Sequence, residues 1–381
     1  MLAQLTECVA ALARAGHSVL IVSSGAVGTG AHEMRIFERP TTTARKQALA
    51  AIGQVRLMRE FNSMLSTMGV ESAQVLLTYE NLGERTQCHN AQNTLEELFN
   101  LGVVPVVNEN DTVATDDMLR FGDNDRLSAM CASLLGAHYL FLLTDVDGVY
   151  TANPNVDASA KRIDVIPDVG VLRAQINTQS GPGSEFSTGG MESKLEAAHI
   201  ATRGGVRTII MCAKDVGKIP AYVEACCEPG ANVIASFGTV CMAASKPYQG
   251  RERWIQSLPP RGKLIIVNGA VESLAMRKSL FSSDVLDVLG KFAALEPVSV
   301  CSQAHPDIVL AVGLCNYASA DLVRIKGKTH DECVAEGEVA QADVVFDRTN
   351  LALARCSGGG DSPAPFPPPL HPGSPDSDVL P

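Results

Sequence analysis

The chain has 381 residues, 46% of them hydrophobic, and a formal net charge of -11, which is apolar content enough for about two or three domains with buried cores. The acidic balance excludes general attraction to nucleic acid or anionic membrane, since both need basic surface against phosphate charge. No apolar run approaches the roughly 20 residues that span a bilayer, and no secretory leader pattern opens the chain, so the cytoplasm is the expected compartment.

In chain order, LAQLTECVAALARAG has the apolar spacing of a helix and stops at Gly16, and HSVLIVSSGAVGTG follows as a buried strand running into a glycine-bearing turn. The later runs VVPVVNEND, YLFLLTDVDGVY and VRTIIMCAK read as strands ending in polar residues, with RLSAMCASLLGA and ESKLEAAHIATRGG as helices between them. This alternation predicts an α/β domain over residues 1–247 with a largely parallel sheet, its strands apolar enough to be buried on both faces. Ligands of such sheets bind beyond the carboxyl ends of the strands, where the polar residues fall.

Residues 248–261, YQGRERWIQSLPPRG with its neighbours, read as a charged linker, and residues 262–346 hold short β-like runs such as KLIIVNGA and DIVLAVGL, a separate small β-rich domain. Residues 347–381 are expected as a Pro/Gly-rich disordered tail. Pro365 to Pro369 also fit a polyproline II ligand for a partner domain.

Eleven cysteines without a C-x-x-C pair, and eight histidines without H-E-x-x-H, suggest neither a disulfide framework nor a zinc site. Two readings stand for the adjacent Cys226 and Cys227, a redox pair or simple packing, with packing the simpler.

The segment NENDTVATDDMLRFGDNDRLSA, from Asn108 to Ala129, is dense in carboxylates and asparagines. Such residues are ordinary in solvated turns, and Glu109, Asp116 and Asp117 are assigned no role. FSTGGMESKLEAAHI places Ser187, Thr188, Gly189 and Gly190 before a helix, where free N–H groups and the positive helix end favour an anion. Lys194, in the first or second turn, is disfavoured by the helix dipole unless an anion lies nearby. A surface lysine after a flexible turn is the plain alternative. SSGA at 23–26 and TDVDGVYTANP at 144–154 add polar strand ends, and no G-x-x-x-x-G-K-[ST] is present.

Taken together, VSSGAVGTG, ARKQALAAIGQVRLM, VVPVVNENDTVAT, FGDNDRLSA, LLTDVDGVYTANP and STGGMESKLEAA, in this order and spacing, resemble the amino acid kinase family. The likeness is closest to its members that phosphorylate the side chain of glutamate, and the β-rich segment resembles the PUA domain that many of them carry. The resemblance implies a three-layer αβα sandwich followed by a PUA-like pseudo-barrel. It also implies ATP-dependent formation of L-glutamyl 5-phosphate, the first step of proline biosynthesis, with Mg2+ accompanying ATP and no metal ligand assigned to the protein.

Residue by residue, the resemblance makes Ser24, Gly25, Ala26, Asp111 and Asn124 the contacts of glutamate. Thr144, Asp145, Thr188, Gly189, Gly190, Met191, Glu192, Ser193 and Lys194 become contacts of ATP. Lys194 is the cation on the transferring phosphoryl group, and Asp125 the acid that orders it. Proline as a feedback inhibitor, a homo-oligomer and glutamyl 5-phosphate reductase as a partner are further implications.

Family members open with a strand carrying K-x-G-[ST]-S, whose lysine and glycine contact the ATP phosphates. These residues open at MLAQLTECVAALARAG, inside what the resemblance makes the first helix, so that strand is expected to be missing. Ser187 also replaces a glycine common before T-G-G. A truncated, catalytically weak paralogue acting by binding or oligomerisation is the alternative reading. RNA binding through the β-rich domain is weaker: residues 261–355 hold ten Lys and Arg against twelve Asp and Glu, and RNA wants a basic footprint.

Overall fold

The computed structural model describes residues 1–38, 40–113, 124–152, 154, 157, 159–173, 189–227, 234–335 and 344–354. The chain divides into two compact units between Pro247 and Tyr248. In the first, α1 (Leu2–Arg14) ends at Gly16, whose φ of 85° suits glycine alone at little cost. β1 (Ile21–Val22), α2 (Ala26–Glu33), α3 (Thr43–Thr67), β2 (Ser72–Leu77), α4 (Tyr79–Gly83), α5 (Arg85–Asn100) and β3 (Val104–Glu109) follow. Next come α6 (Asn124–Leu135), β4 (Tyr139–Thr144), β5 (Val165–Ile166), α7 (Gly189–Arg203), β6 (Arg207–Cys212), α8 (Ile219–Cys227) and β7 (Thr239–Cys241).

Among the described residues these strands form two sheets. One is parallel throughout, in the order β1-β3-β2; the other has the order β4-β6-β7-β5, and there β7 runs antiparallel to β6. The antiparallel strand departs from the sequence expectation, because residues 239–241 are too short a run to declare a strand by pattern. β3 is buried at every position, as expected. β4 is not: apart from Leu142 its residues stay half-buried, since β6 is its one strand partner among the described residues.

The second sheet has helices on both faces. Ile210 of β6 packs with Ala129 of α6 and with Leu195 and Ala198 of α7. Its neighbours Ile209 and Met211 point the other way, to Cys8 of α1 and to Tyr222 and Val223 of α8. The two-residue alternation of a strand thus feeds two cores, giving the helix–sheet–helix layering expected from sequence. Val9 of α1 and Phe61 and Leu65 of α3 cover Val104 and Val106 of β3. α6 packs against β1, β3 and β4, and so serves both sheets.

α2 and α3 meet backbone to backbone. A Cβ on Gly53 would lie 1.9 Å from the Ala26 carbonyl oxygen, and one on Gly30 would lie 1.9 Å from that of Leu49. The two glycines therefore set how closely the helix after β1 approaches α3.

In the second unit, strands at Val285–Gly290, Gly262–Ile266, Pro297–Ser302, Val309–Leu314 and Leu351–Leu353 form a five-stranded sheet in that order, with Leu280–Phe281 and Val344–Phe346 paired separately. Leu264, Ile266, Leu280, Val298, Val300 and Phe346 fill its core. Two boundaries differ from expectation. Within 248–261, Gly250–Ser257 is a helix whose Ile255 is fully buried, and Tyr248 and Gln256 donate to the carbonyls of Leu353 and Ala352, both at 2.7 Å. The charged residues that suggest a linker are half-buried and bonded within the unit, Arg251 to Asn350, Glu252 to Arg277 and Arg253 to the Tyr248 carbonyl. Residues 347–354 also belong to this unit, because Leu351–Leu353 pairs with the strand at Val309–Leu314. The proline-rich stretch that follows lies outside the described residues. Among the described residues no helix is long and apolar enough to cross a membrane.

Gly53→Ala is expected to destabilise the protein by about 3 kcal/mol or more, because overpacking against rigid backbone outweighs the gain of about 1 kcal/mol in helix propensity. Chemical denaturation of the variant checks this, and a loss below about 0.5 kcal/mol would show that the two helices separate freely.

Candidate active site

Asn108, near the end of β3, meets the start of α6, where Asn124 Nδ2 donates to its side-chain oxygen at 3.1 Å. The Ser23 N–H donates to the Val107 carbonyl at 2.9 Å, which holds the turn after β1 beside the end of β3. In that turn Ser24 is exposed, Gly25 adopts φ 98° ahead of α2, and Ala26 is buried. Gly25 is required by its left-handed backbone, since space around its Cβ position is open. Asp111 stands two residues beyond β3, half-buried, and burial raises its carboxyl above the ordinary aspartate value. Among the described residues it makes no ion pair.

Asn124 and Asp125 open α6. The Asp125 carboxylate accepts Lys194 Nζ at 2.8 and 3.0 Å and the Ser193 hydroxyl at 2.9 Å. Lys194 is mostly buried, with 13% of its side chain exposed, against 22% for Asp125. The anion that offsets a lysine near a positive helix end is thus, in the first instance, the protein's own carboxylate. Alongside, Glu196 takes Arg126 at 3.1 Å and Arg173 at 3.7 Å, a second tie between α6 and α7.

Gly189 and Gly190 begin α7, and Met191, Glu192 and Ser193 complete its opening turn and start the next. Ser193, expected as a nucleotide contact, donates to Asp125 and to the Gly190 carbonyl. Thr144 ends β4, and its hydroxyl donates to Asp145 at 3.0 Å. Among the described residues no hydrogen bond joins Thr144 or Asp145 to the Asp125–Lys194 pair. Thr188 lies outside the described residues, as do Asp116 and Asp117.

Sequence reasoning missed the amides behind this site. Asn124 Nδ2 donates to Asn108 Oδ1 at 3.1 Å, Asn108 Nδ2 to Gln54 Oε1 at 2.7 Å, and Gln54 Nε2 to Gln74 Oε1 at 3.3 Å. The available signal was a glutamine inside the otherwise apolar AAIGQVRLM. Among the described residues no three His, Cys, Asp or Glu side chains converge as a metal site.

The amino acid kinase family profile matches residues 2–212, and that of the PUA domain matches residues 262–336. Three curated relatives, each named glutamate 5-kinase, align over nearly the whole length. The one from Acaryochloris marina is 41% identical over 355 residues, 92% of each chain. The one from Synechococcus elongatus is 42% identical over 357 residues, 93% of each. The one from Synechocystis sp. is 44% identical over 356 residues, 92% of this chain and 91% of the relative.

The raised Asp111 carboxyl has a consequence for stability. A folded-state value above the unfolded one makes its contribution most favourable below the ordinary aspartate pKa of about 3.9, and that contribution is lost as pH rises through the raised value. Asp111→Asn should therefore melt at or above the wild-type temperature at pH 7, the difference shrinking as pH falls towards about 4. A lower melting temperature for the variant at pH 7 would show instead that the charged carboxylate stabilises the fold.

Proposed function

The chain belongs to the amino acid kinase family, and from that premise we propose that it transfers the γ-phosphoryl group of ATP to the side-chain carboxylate of glutamate, giving L-glutamyl 5-phosphate. The observation that carries this reading is the Asp125–Lys194–Ser193 cluster at the junction of α6 and α7, in a chain 41%, 42% and 44% identical to the three glutamate 5-kinases above over nine-tenths of its length.

The chemistry asks little of the protein in proton transfer. A free glutamate side chain, with a pKa of about 4.3, is ionised at neutral pH. A carboxylate oxygen forms the new bond to the γ-phosphorus, the bond from that phosphorus to the bridging oxygen breaks, and ADP leaves with the electron pair. No proton is gained or lost on this path, so a general base is unnecessary. Catalysis rests on aligning two anions and offsetting the charge between them.

In this reading Lys194 faces the transferring phosphoryl group, Asp125 holds its ammonium in place, and the N–H groups of Gly189 and Gly190 at the head of α7 receive phosphate oxygens. Thr188, Met191, Glu192, Thr144 and Asp145 complete the nucleotide side. Ser24, Gly25, Ala26, Asp111 and Asn124 form the glutamate side, where the Asp111 carboxylate suits the substrate ammonium. Mg2+ arrives with ATP, held largely by phosphates and water as is usual for that ion.

The finer expectations follow from the same reading. They are a cytoplasmic biosynthetic enzyme, feedback by proline, a homo-oligomer, and glutamyl 5-phosphate reductase as the consumer of an acyl phosphate. The ten described cysteines, all free thiols, suit a reducing compartment.

Purified protein should release ADP in the presence of glutamate and MgATP, with aspartate and other acidic acceptors far poorer. Lys194→Ala should lower turnover about 100-fold or more, the usual effect of losing such electrostatic stabilisation, with less effect on glutamate binding. Asp111→Asn should instead raise the KM for glutamate sharply and leave that for ATP little changed. Near-normal turnover by Lys194→Ala, or equal damage to both substrates by Asp111→Asn, would overturn these assignments.

A further inference from the structure

The amide chain behind the candidate site has a direction, and main-chain chemistry sets it. The Glu109 N–H can only donate, and it lies 2.9 Å from Asn108 Oδ1. That oxygen is therefore an acceptor, and the other end of the Asn108 amide must be its NH2 group. The NH2 group donates to Gln54 Oε1 at 2.7 Å, which turns the Gln54 NH2 outward to Gln74 Oε1 at 3.3 Å. The same Asn108 oxygen also takes Asn124 Nδ2 at 3.1 Å. Asn124 is then fixed with its carbonyl oxygen pointing away from Asn108, and that oxygen is buried without a hydrogen-bond partner among the described residues.

Leaving a buried acceptor unmade costs about 1 to 3 kcal/mol, and a donor brought by a ligand would remove that cost. We infer that Gln54, on α3 and only 9% exposed, is a positioning residue that selects acceptors bearing an ammonium group, by locking the amide relay so that Asn124 presents its carbonyl oxygen to the substrate. This inference rests on the reading of the site as a glutamate pocket. Gln54 does not touch substrate. It works through Asn108, whose amide is held at its oxygen by the Glu109 N–H and at its NH2 group by Gln54, so that without Gln54 one of the two anchors that resist rotation of the amide is lost. Where the Asn108 amide turns over, its NH2 group meets that of Asn124, which must itself turn to accept it, and the carbonyl of Asn124 is no longer held toward the pocket.

The test uses the whole chain and two ligands, glutamate and glutarate, which differ by the ammonium group. Binding of each is measured calorimetrically without nucleotide, in parallel with acceptor-dependent ADP release. Gln54→Met, close in size but without hydrogen-bonding groups, should weaken glutamate binding about tenfold or more, the scale of a lost hydrogen bond to a charged group. Glutarate binding and the KM for ATP should change little, so that the preference for glutamate over glutarate collapses. Gln54→Glu keeps an acceptor facing Asn108 and should retain most of the preference. If Gln54→Met does not melt cooperatively, Gln54→Ser, which leaves room for water, carries the same expectation.

An unchanged preference in Gln54→Met, or equal weakening of glutamate and glutarate, overturns the relay while leaving the glutamate reading intact. Wild-type protein that binds glutamate without phosphorylating it overturns the proposed activity but still tests the relay. Wild-type protein that binds neither ligand overturns both.

Discussion

The carboxylate of Asp125 is the point on which the site depends. It sits at the start of α6 and takes donors from two successive residues of α7, Ser193 and Lys194. Both charges are largely withdrawn from water, so each needs the other: removing one partner of such a pair leaves an uncompensated charge, which is far more damaging than loss of an exposed salt bridge. The Arg126–Glu196–Arg173 contacts repeat the tie beside it. α6 and α7 are thereby held side by side at their amino ends, where backbone N–H groups lack helical partners.

In the proposed reading, the rest of the first unit places substrates around that junction. α6 packs on β1, β3 and β4, and so makes contact with both sheets. On the far side, the backbone contact of Gly53 with Ala26 fixes α2 against α3, and with it the turn at Ser24 and Gly25. α3 carries Gln54 next to Gly53, so one short segment supplies both the close helix contact and the amide that orients Asn108. A shift of α3 would disturb the two together.

Much of this could be read in the sequence, and what could not has physical reasons. Long apolar runs such as YLFLLT and RTIIMC declare strands because their burial demands are local, and the helix of Lys194 is marked by the glycines before it. The antiparallel β7 escaped because three residues carry no period, and its pairing with β6 depends on chain more than 25 residues distant. Gly250–Ser257 looked like linker because the charges of GRERWIQS outnumber its apolar groups. What holds it is Ile255 in the core and hydrogen bonds to Leu353 and Ala352 made by its neighbours Tyr248 and Gln256. The amide relay joins α3, β2, β3 and α6, and no spacing rule connects residues 54, 74, 108 and 124. The resemblance names candidate ligand contacts; the amides hydrogen-bonded behind them became visible with the fold.

Holding Lys194 on Asp125 reduces the charge the lysine can offer at a distance, which at first sight weakens the site proposed to receive phosphate. The balance favours the arrangement for two reasons. A free lysine side chain carries about 2 kcal/mol of rotamer entropy, and fixing it during folding removes that cost from the step in which negative charge moves between phosphate and carboxylate. An ammonium has three donors, and the contacts within Asp125 use one carboxylate as acceptor, so donor capacity is left for a phosphoryl oxygen. Asp125 therefore trades some long-range attraction for a fixed direction, and direction is what stabilises a transition state over a ground state. In the proposed reading, binding of the nucleotide then falls chiefly to the amino end of α7, where fixed backbone dipoles attract phosphate without a side chain that must first be ordered.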